Sequence, residues 1–282
     1  MNYRHAYHAG NIGDVLKHVV LARLIVYFQR KDKAFRVFDT HAGIGEYDLA
    51  SEETQKTGEW QQGVGKVLGT RCPDPIAALL EPWLSVVHKL NPDGVLKVYP
   101  GSPSVARNLM RKNDRLTLTE LHPADFEVLS GLYAGDHQVK TIHLDGWLAM
   151  GSFLPPKEKR GLVLIDPAYE VTDEFDRMTE AVIKGWKKWS GGTYALWYPV
   201  KDTRAIRRMH EAFENAGLRD VLKLELNVGK SGPDTRMLGS AMTLINPPYT
   251  LADEMREILP WLCEILHQGP GTNWEVTQLI SD

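Results

Sequence analysis

At 282 residues, with 43% hydrophobic and 24% charged side chains, the chain has ordinary globular composition and enough apolar content for a sizeable core. A formal net charge of −3 gives no global attraction to nucleic acid, so any contact with a polyanion has to come from local patches. Cys72 and Cys263 stand far apart, without a CxxC or clustered histidines, which excludes a disulfide scaffold and leaves no metal site to expect.

The N-terminus carries no apolar stretch ahead of a small-residue cleavage site. The longest apolar window, Val19 to Phe28, is short and broken by Arg23, so a cytoplasmic protein with no membrane contact is expected. From Gly13 to Arg30, Val15, Leu16, Val19, Val20, Leu24, Ile25 and Phe28 recur at helical spacing, and Asn11 with Asp14 resembles a capping box. A short strand, Phe35 to Asp39, then runs into the glycine-containing turn Thr40 to Gly45.

Residues 48–95 change character. They are polar and glycine-punctuated, then helical, with Asp74-Pro75 as a helix start, and are expected to form a helical insertion in a domain built from 1–47 and 96–282. Strands Leu116 to Glu120, Lys140 to Asp145 and Leu162 to Asp166 follow, each ending in an acid, with helical segments between them as a parallel α/β sheet requires. Thr193 to Tyr198 is a further strand. Val221 to Leu226 and Ala241 to Ile245 are expected to pair as a hairpin across the loop from Gly229 to Gly239.

In an open α/β sheet ligands sit beyond the carboxyl ends of the strands, where this row of acids falls. Asp39 with Gly43 and Gly45 reads D-x-x-x-G-x-G. Asp48 stands where a dinucleotide fingerprint has its third glycine, which weighs against NAD or FAD. Glu120 can accept hydrogen bonds from a ribose diol, and Asp145 from an adenine amine. Singly, each is as readily a turn or a solvated strand end.

Asp166-Pro167-Ala168-Tyr169 carries more. The lone pair of an adenine amine is delocalised into the ring, so alkylating it calls for acceptors that localise it. The Asp166 carboxylate and the Pro167 carbonyl can take the two amine hydrogens while Tyr169 stacks on the extruded base. Asn246-Pro247-Pro248-Tyr249 matches the N-P-P-Y pattern better, but it follows the last of these strands, away from the loop after Asp39.

Taken together the chain resembles the RlmJ family, bacterial methyltransferases that modify an adenine N6 in 23S ribosomal RNA. The likeness runs through Tyr3-Arg4-His5, His8 to Asn11, Asp14 to His18, Asp39 to Gly43, Tyr99 to Pro103, Thr119 to Pro123 and Tyr194 to Pro199. It implies a class I, Rossmann-like fold with a small helical insertion, and S-adenosylmethionine as cofactor. It implies cofactor contacts at His18, His41, Ser102, Glu120, Asp145, Gly146 and Asp166, and a catalytic acceptor at Asp166. Tyr3 matches a position that handles the RNA, and Arg4 and His5 are expected beside it.

The family motif reads D-P-P-Y, and Ala168 here replaces the second proline, a loss of roughly 0.4 to 1 kcal/mol of rigidity. Ser102 before Pro103 also reads as a helix N-cap. Two basic clusters, Lys184/Lys187/Lys188 and Arg204/Arg207/Arg208, are either solvated helix faces or phosphate contacts. The expected partner is 23S ribosomal RNA and the expected state a monomer. A DNA-adenine or glutamine methyltransferase, or a non-catalytic RNA-binding protein on the same fold, is the alternative.

Overall fold

The computed structural model describes residues 4–230 and 237–281. A 3-10 turn, His5–Tyr7, leads into α1 (Ile12–Gln29), β1 (Arg36–Asp39) and β2 (Glu46–Asp48). Four helices follow: α2 (Glu52–Thr57), α3 (Glu59–Gln62), α4 (Val64–Gly69) and α5 (Asp74–Leu90). Then come β3 (Val98–Pro100), α6 (Ser102–Leu109), β4 (Arg115–Glu120), α7 (Pro123–Leu132), β5 (Val139–His143), α8 (Gly146–Phe153) and β6 (Gly161–Ile165). The chain finishes with α9 (Glu174–Lys188), β7 (Thr193–Pro199), α10 (Thr203–Asn215), β8 (Val221–Asn227), β9 (Gly239–Ile245), α11 (Leu251–Ile265) and β10 (Asn273–Ile280).

The main sheet runs β10-β8-β9-β7-β6-β1-β4-β5. β1 lies between β4 and β6, parallel to both, which puts the topological switch point at its carboxyl end. β9 is antiparallel to β7 and to β8, so the expected hairpin forms. Side chains alternate across the pleat: Leu162 and Leu164 of β6 enter the core that holds α1, α5 and α11, while Val163 and Ile165 enter the one under α9 and α10.

Helix α1 is buried nearly all round, and its buried residues include Asp14, Lys17, His18 and Arg23. Its start differs from a capping box. Asn11 accepts from the amides of Gly13 and Asp14, but the Asp14 carboxylate reaches past the cap to the Gly10 amide. Ser102 does not cap α6: Gly101 holds the cap position and the Ser102 hydroxyl turns to Asp39. Asp145 lies beyond the end of β5, as the cap of α8.

Three strands were not anticipated. β2 and β3 form a separate antiparallel ladder of three residues each, too short to show a period, and β10 pairs antiparallel with β8 at the sheet edge. No described helix is long and apolar enough to cross a membrane.

Candidate active site at the carboxyl edge of the sheet

The carboxyl ends of β1, β4 and β6 converge on a cavity of about 290 Å³, near the lower end of the range for small-molecule sites. His18, His41, Ser102, Glu120, Asp145, Gly146 and Asp166, separated by up to 148 positions in the sequence, all line it.

Behind Ser102, Asp39 ends β1 and is buried. The Ser102 hydroxyl donates to its Oδ2 at 2.6 Å, and burial pushes its pKa up to about 6. The turn that follows needs glycine. Gly43 has φ +62°, and a Cβ there would meet the Tyr47 hydroxyl at 2.2 Å. Its amide donates to Glu120 Oε2 at 2.8 Å, and the His122 amide donates to Oε1 at 2.7 Å. The Leu121 amide adds a third backbone contact, and with about four lone-pair sites the carboxylate keeps acceptor capacity for a ligand.

Asp145 accepts from the Trp147 amide at 2.7 Å, and Arg177 lies 3.4 Å from its other oxygen. Gly146 brings α8 against the first loop, since a Cβ there would sit 2.3 Å from the Thr40 carbonyl oxygen. The His41 ring packs edge-on to Trp147 at 4.8 Å between centroids, and burial lowers its pKa to about 4. His18 is fully buried and lowered to about 3 by desolvation, so its ring is neutral. Its Nδ1 meets the Tyr99 hydroxyl at 2.8 Å, while Nε2 has no hydrogen-bond partner.

This set suits S-adenosylmethionine. It offers a carboxylate with free lone pairs for a diol, an orphaned imidazole nitrogen for a polar headgroup, and a further carboxylate at a helix cap. Among the described residues no three His, Cys, Asp or Glu side chains cluster to hold a metal ion.

Asp166 leaves β6 and pairs with Lys17, which also holds Asp14 at 2.8 Å. Lys17 is buried. Desolvation alone would lower its pKa, but Asp14 and Asp166 outweigh that and raise it. Asp14 is held well below the ordinary carboxylate range despite its burial, chiefly by His5 and Lys17.

Sequence reasoning did not single out Lys17. The available signal was an ionisable residue inside a helix that is apolar all round, which calls for a buried partner. Trp197 was missed as well; its ring lies 5.6 Å from the Lys17 ammonium.

On the other side of Asp166 lies a second cavity, of about 380 Å³. His5, Asn11, Lys17, Tyr169, Trp197 and Lys201 line it, and His5, Lys17, Asp166 and Ala168 border both cavities. Tyr169 faces this second space. It adopts the left-handed conformation (φ +53°), donates its hydroxyl to the Trp197 carbonyl at 2.6 Å, and packs 5.1 Å from Phe175. A left-handed residue other than glycine costs about 1 to 3 kcal/mol, so the turn is held by its surroundings.

Of the residues expected to meet RNA, His5 lines both cavities and pairs with Asp14 at 3.0 Å. Arg4 is engaged within the chain, with Glu53 at 3.0 Å and Asp125 at 3.5 Å. Tyr3 lies outside the described residues.

The strand order, the switch-point cavity and the carboxylate row define a class I S-adenosylmethionine-dependent methyltransferase. A family model described as "Ribosomal RNA large subunit methyltransferase D, RlmJ" matches residues 32–279. Relatives named "Ribosomal RNA large subunit methyltransferase J" from Haemophilus influenzae and Escherichia coli are each 41% identical. The first aligns over 278 residues, 98% of both chains, and the second over 272 residues, 96% of both. A crystal structure of a Legionella pneumophila protein is 33% identical and superposes with a TM-score of 0.85, covering 96% of this chain and 98% of that one. The chain belongs to the RlmJ family of ribosomal RNA large subunit methyltransferases.

Proposed function

We propose that the chain transfers a methyl group to the N6 amine of an adenine in 23S ribosomal RNA, the cofactor lying in the first cavity and the extruded base in the second. The observation that carries this reading is the position of Asp166, on the border between the two cavities and fixed there by Lys17.

Glu120 would hold the cofactor's ribose hydroxyls, Asp145 its adenine amine, and His18 and His41 its polar end. When bound, S-adenosylmethionine supplies an electrophilic methyl group. Lys17 fixes the Asp166 carboxylate through Oδ2, which leaves Oδ1 to accept one hydrogen of the target amine. Pro167 lines the first cavity, next to Asp166 on the border, and its carbonyl would accept the other as the base reaches that border, turning the lone pair toward the first cavity. After transfer the nitrogen sheds a proton, for which the free Oδ1 of Asp166 would be the first acceptor. Tyr169 and Trp197 supply aromatic surface for the base.

We read residues 48–95 as an insertion that anchors the N-terminal segment. Arg4 pairs with Glu53, His8 and Asn11 both reach Glu59 Oε2 at 3.0 and 2.9 Å, and Thr57 donates to the Tyr7 carbonyl. One chain completes both cavities, which supports action as a monomer, and a ribosomal RNA substrate supports a cytoplasmic location.

The test is transfer of labelled methyl groups, side by side, to 23S rRNA, duplex DNA and a glutamine-bearing release factor, followed by mapping of N6-methyladenine. Label confined to an rRNA adenine is expected. Label on DNA or protein alone, or cofactor binding without any transfer, would overturn the reading.

A further inference from the structure

With a net charge of −3 the protein has to hold RNA through a local surface, and the two basic clusters differ in where they lie. α9 starts beside the first cavity, which Glu174 lines. At about 1.5 Å of rise per residue, Lys184, Lys187 and Lys188 lie roughly 15 to 20 Å down the helix, toward the opposite edge of the sheet.

Their charges are also accounted for by the helix itself. α9 carries Glu174 and Asp176 in its first turn and Lys187 and Lys188 in its last, the arrangement that complements the helix dipole. Lys184 pairs with Glu180, and Lys188 donates to the Gly151 carbonyl.

α10 is the reverse. It starts at the carboxyl edge, joined to β7 by the three-residue connection 200–202, and Lys201 in that connection lines the second cavity. Arg204 and Arg208 follow one helical turn apart on the exposed face, opposite the buried Ala205, Met209 and Phe213. The first turn holds no acidic residue, and Arg204 stands in it, at the end of the helix where the dipole disfavours cations. The Asp202 carboxylate is spent on capping the amides of Arg204 and Ala205. Among the described residues, Lys201, Arg204 and Arg208 have no ion-pair partner, while Arg207 lies 3.5 Å from Glu211.

We infer that Lys201, Arg204 and Arg208 form the surface that contacts RNA phosphates flanking the target base. The inference rests on the proposed rRNA substrate. It adds which face of the protein the strand follows: out of the second cavity, past Lys201 and along the start of α10. A lysine that borders a base-sized cavity, followed by two arginines without ion-pair partners among the described residues on the adjoining helix, fits a polyanion leaving that cavity.

The experiment compares two variants of equal charge change, Lys201→Gln/Arg204→Gln/Arg208→Gln and Lys184→Gln/Lys187→Gln/Lys188→Gln. Both are measured for methyl transfer to transcribed 23S rRNA and for binding to it across a salt series. Three lost phosphate contacts should make the slope of log affinity against log salt shallower by about 2. The α10 variant should show that change and a KM for rRNA raised about tenfold or more, with cofactor affinity and melting temperature not reduced. The α9 variant should match wild type on RNA.

An α10 variant with wild-type slope and KM, or an α9 variant that loses as much, would overturn the inference while leaving the proposed reaction standing. A wild-type protein that methylates no rRNA would instead sink that reaction.

Discussion

Two tetrapeptides in this chain follow strands and resemble amine-methylating motifs, Asp166 to Tyr169 and Asn246 to Tyr249, and they stand at opposite edges of the same sheet. β6 runs parallel to β1, so Asp166 emerges at the carboxyl edge beside Asp39 and Glu120. β9 runs antiparallel to β7, with Ile245 opposite Tyr194, so Asn246 emerges where the parallel strands begin. Four residues of strand separate the two levels, about 13 Å.

Each motif contains a left-handed residue, but not at the same place. Tyr169 takes it at the fourth position, against its side chain's preference. Asn246 takes it at the first (φ +52°), where asparagine is tolerated. The Asn246 amide donates to the carbonyls of Ser190 and Gly192, and Tyr249 is 79% exposed with its edge against Tyr27. One motif borders two cavities; the other ties down a turn. Similarity of pattern does not carry function when strand direction sets the edge.

The largest expected effect tests that contrast directly. Asp166→Asn keeps the size but replaces a charged acceptor, so turnover on rRNA at saturating cofactor should fall by about 10² to 10⁴. Asn246→Ala should keep its turnover and lose about 0.5 to 1.5 kcal/mol of stability in denaturant unfolding, because the exposed Ser190 carbonyl can turn to water and only the part-buried Gly192 carbonyl is left short of its donor. Full turnover in the first variant with loss in a folded second one would reverse the assignment of edges.

Glu120 is the next test. Truncating it to Ala should weaken S-adenosylmethionine binding by about 1 to 3 kcal/mol, roughly 5- to 150-fold, as read by calorimetry. Unchanged affinity would remove Glu120 from the cofactor site.

Acid should also act on this edge of the sheet. His18 and His41 have folded pKa values of about 3 and 4, below their ordinary 6.5, so the stability they contribute is present above pH 6.5 and is lost as pH falls toward those values. Asp39, raised to about 6, acts the opposite way: its contribution is present at low pH and lost as pH rises through 6. His210, lowered to about 4 by burial, acts with these histidines, while Glu120 and Glu174, raised by burial, and His8, raised by Glu59, act with Asp39. The fall in unfolding free energy between pH 6.5 and 5 that belongs to one group is therefore read from its own variant. In His18→Gln the fall should be shallower by up to about 1.4 kcal/mol per pH unit. An identical slope would remove buried His18 as a source.

The smallest effect concerns Ala168. Proline at that position should leave turnover within a factor of a few and shift stability by less than about 1 kcal/mol. A large loss of turnover would mean the loop in this chain has settled into a conformation that the family motif does not share.

The elements that were legible in the sequence are those with a local cause. The helix from Ile12, the strands that end at Asp39, Glu120 and Ile165, and the hairpin of β8 and β9 follow from periodicity and turn residues, and the motif runs pointed to the family. Strand pairing, by contrast, is decided by partners distant in the chain, so β2, β3 and β10 were not readable, and Ser102 could pass for a cap until Asp39 lay beside it.

The same limit hid Lys17. Its charge in an apolar helix was visible, but its purpose depends on Asp166, 149 residues away, and only the packing of α1 across the end of β6 brings the two together. Sequence set the helices, the strand ends and the chemistry they could carry, because these depend on neighbours a few residues apart. Tertiary structure set which edge each motif occupies, which acid Lys17 holds and which basic face borders the site, because those follow from strand direction and packing between distant segments.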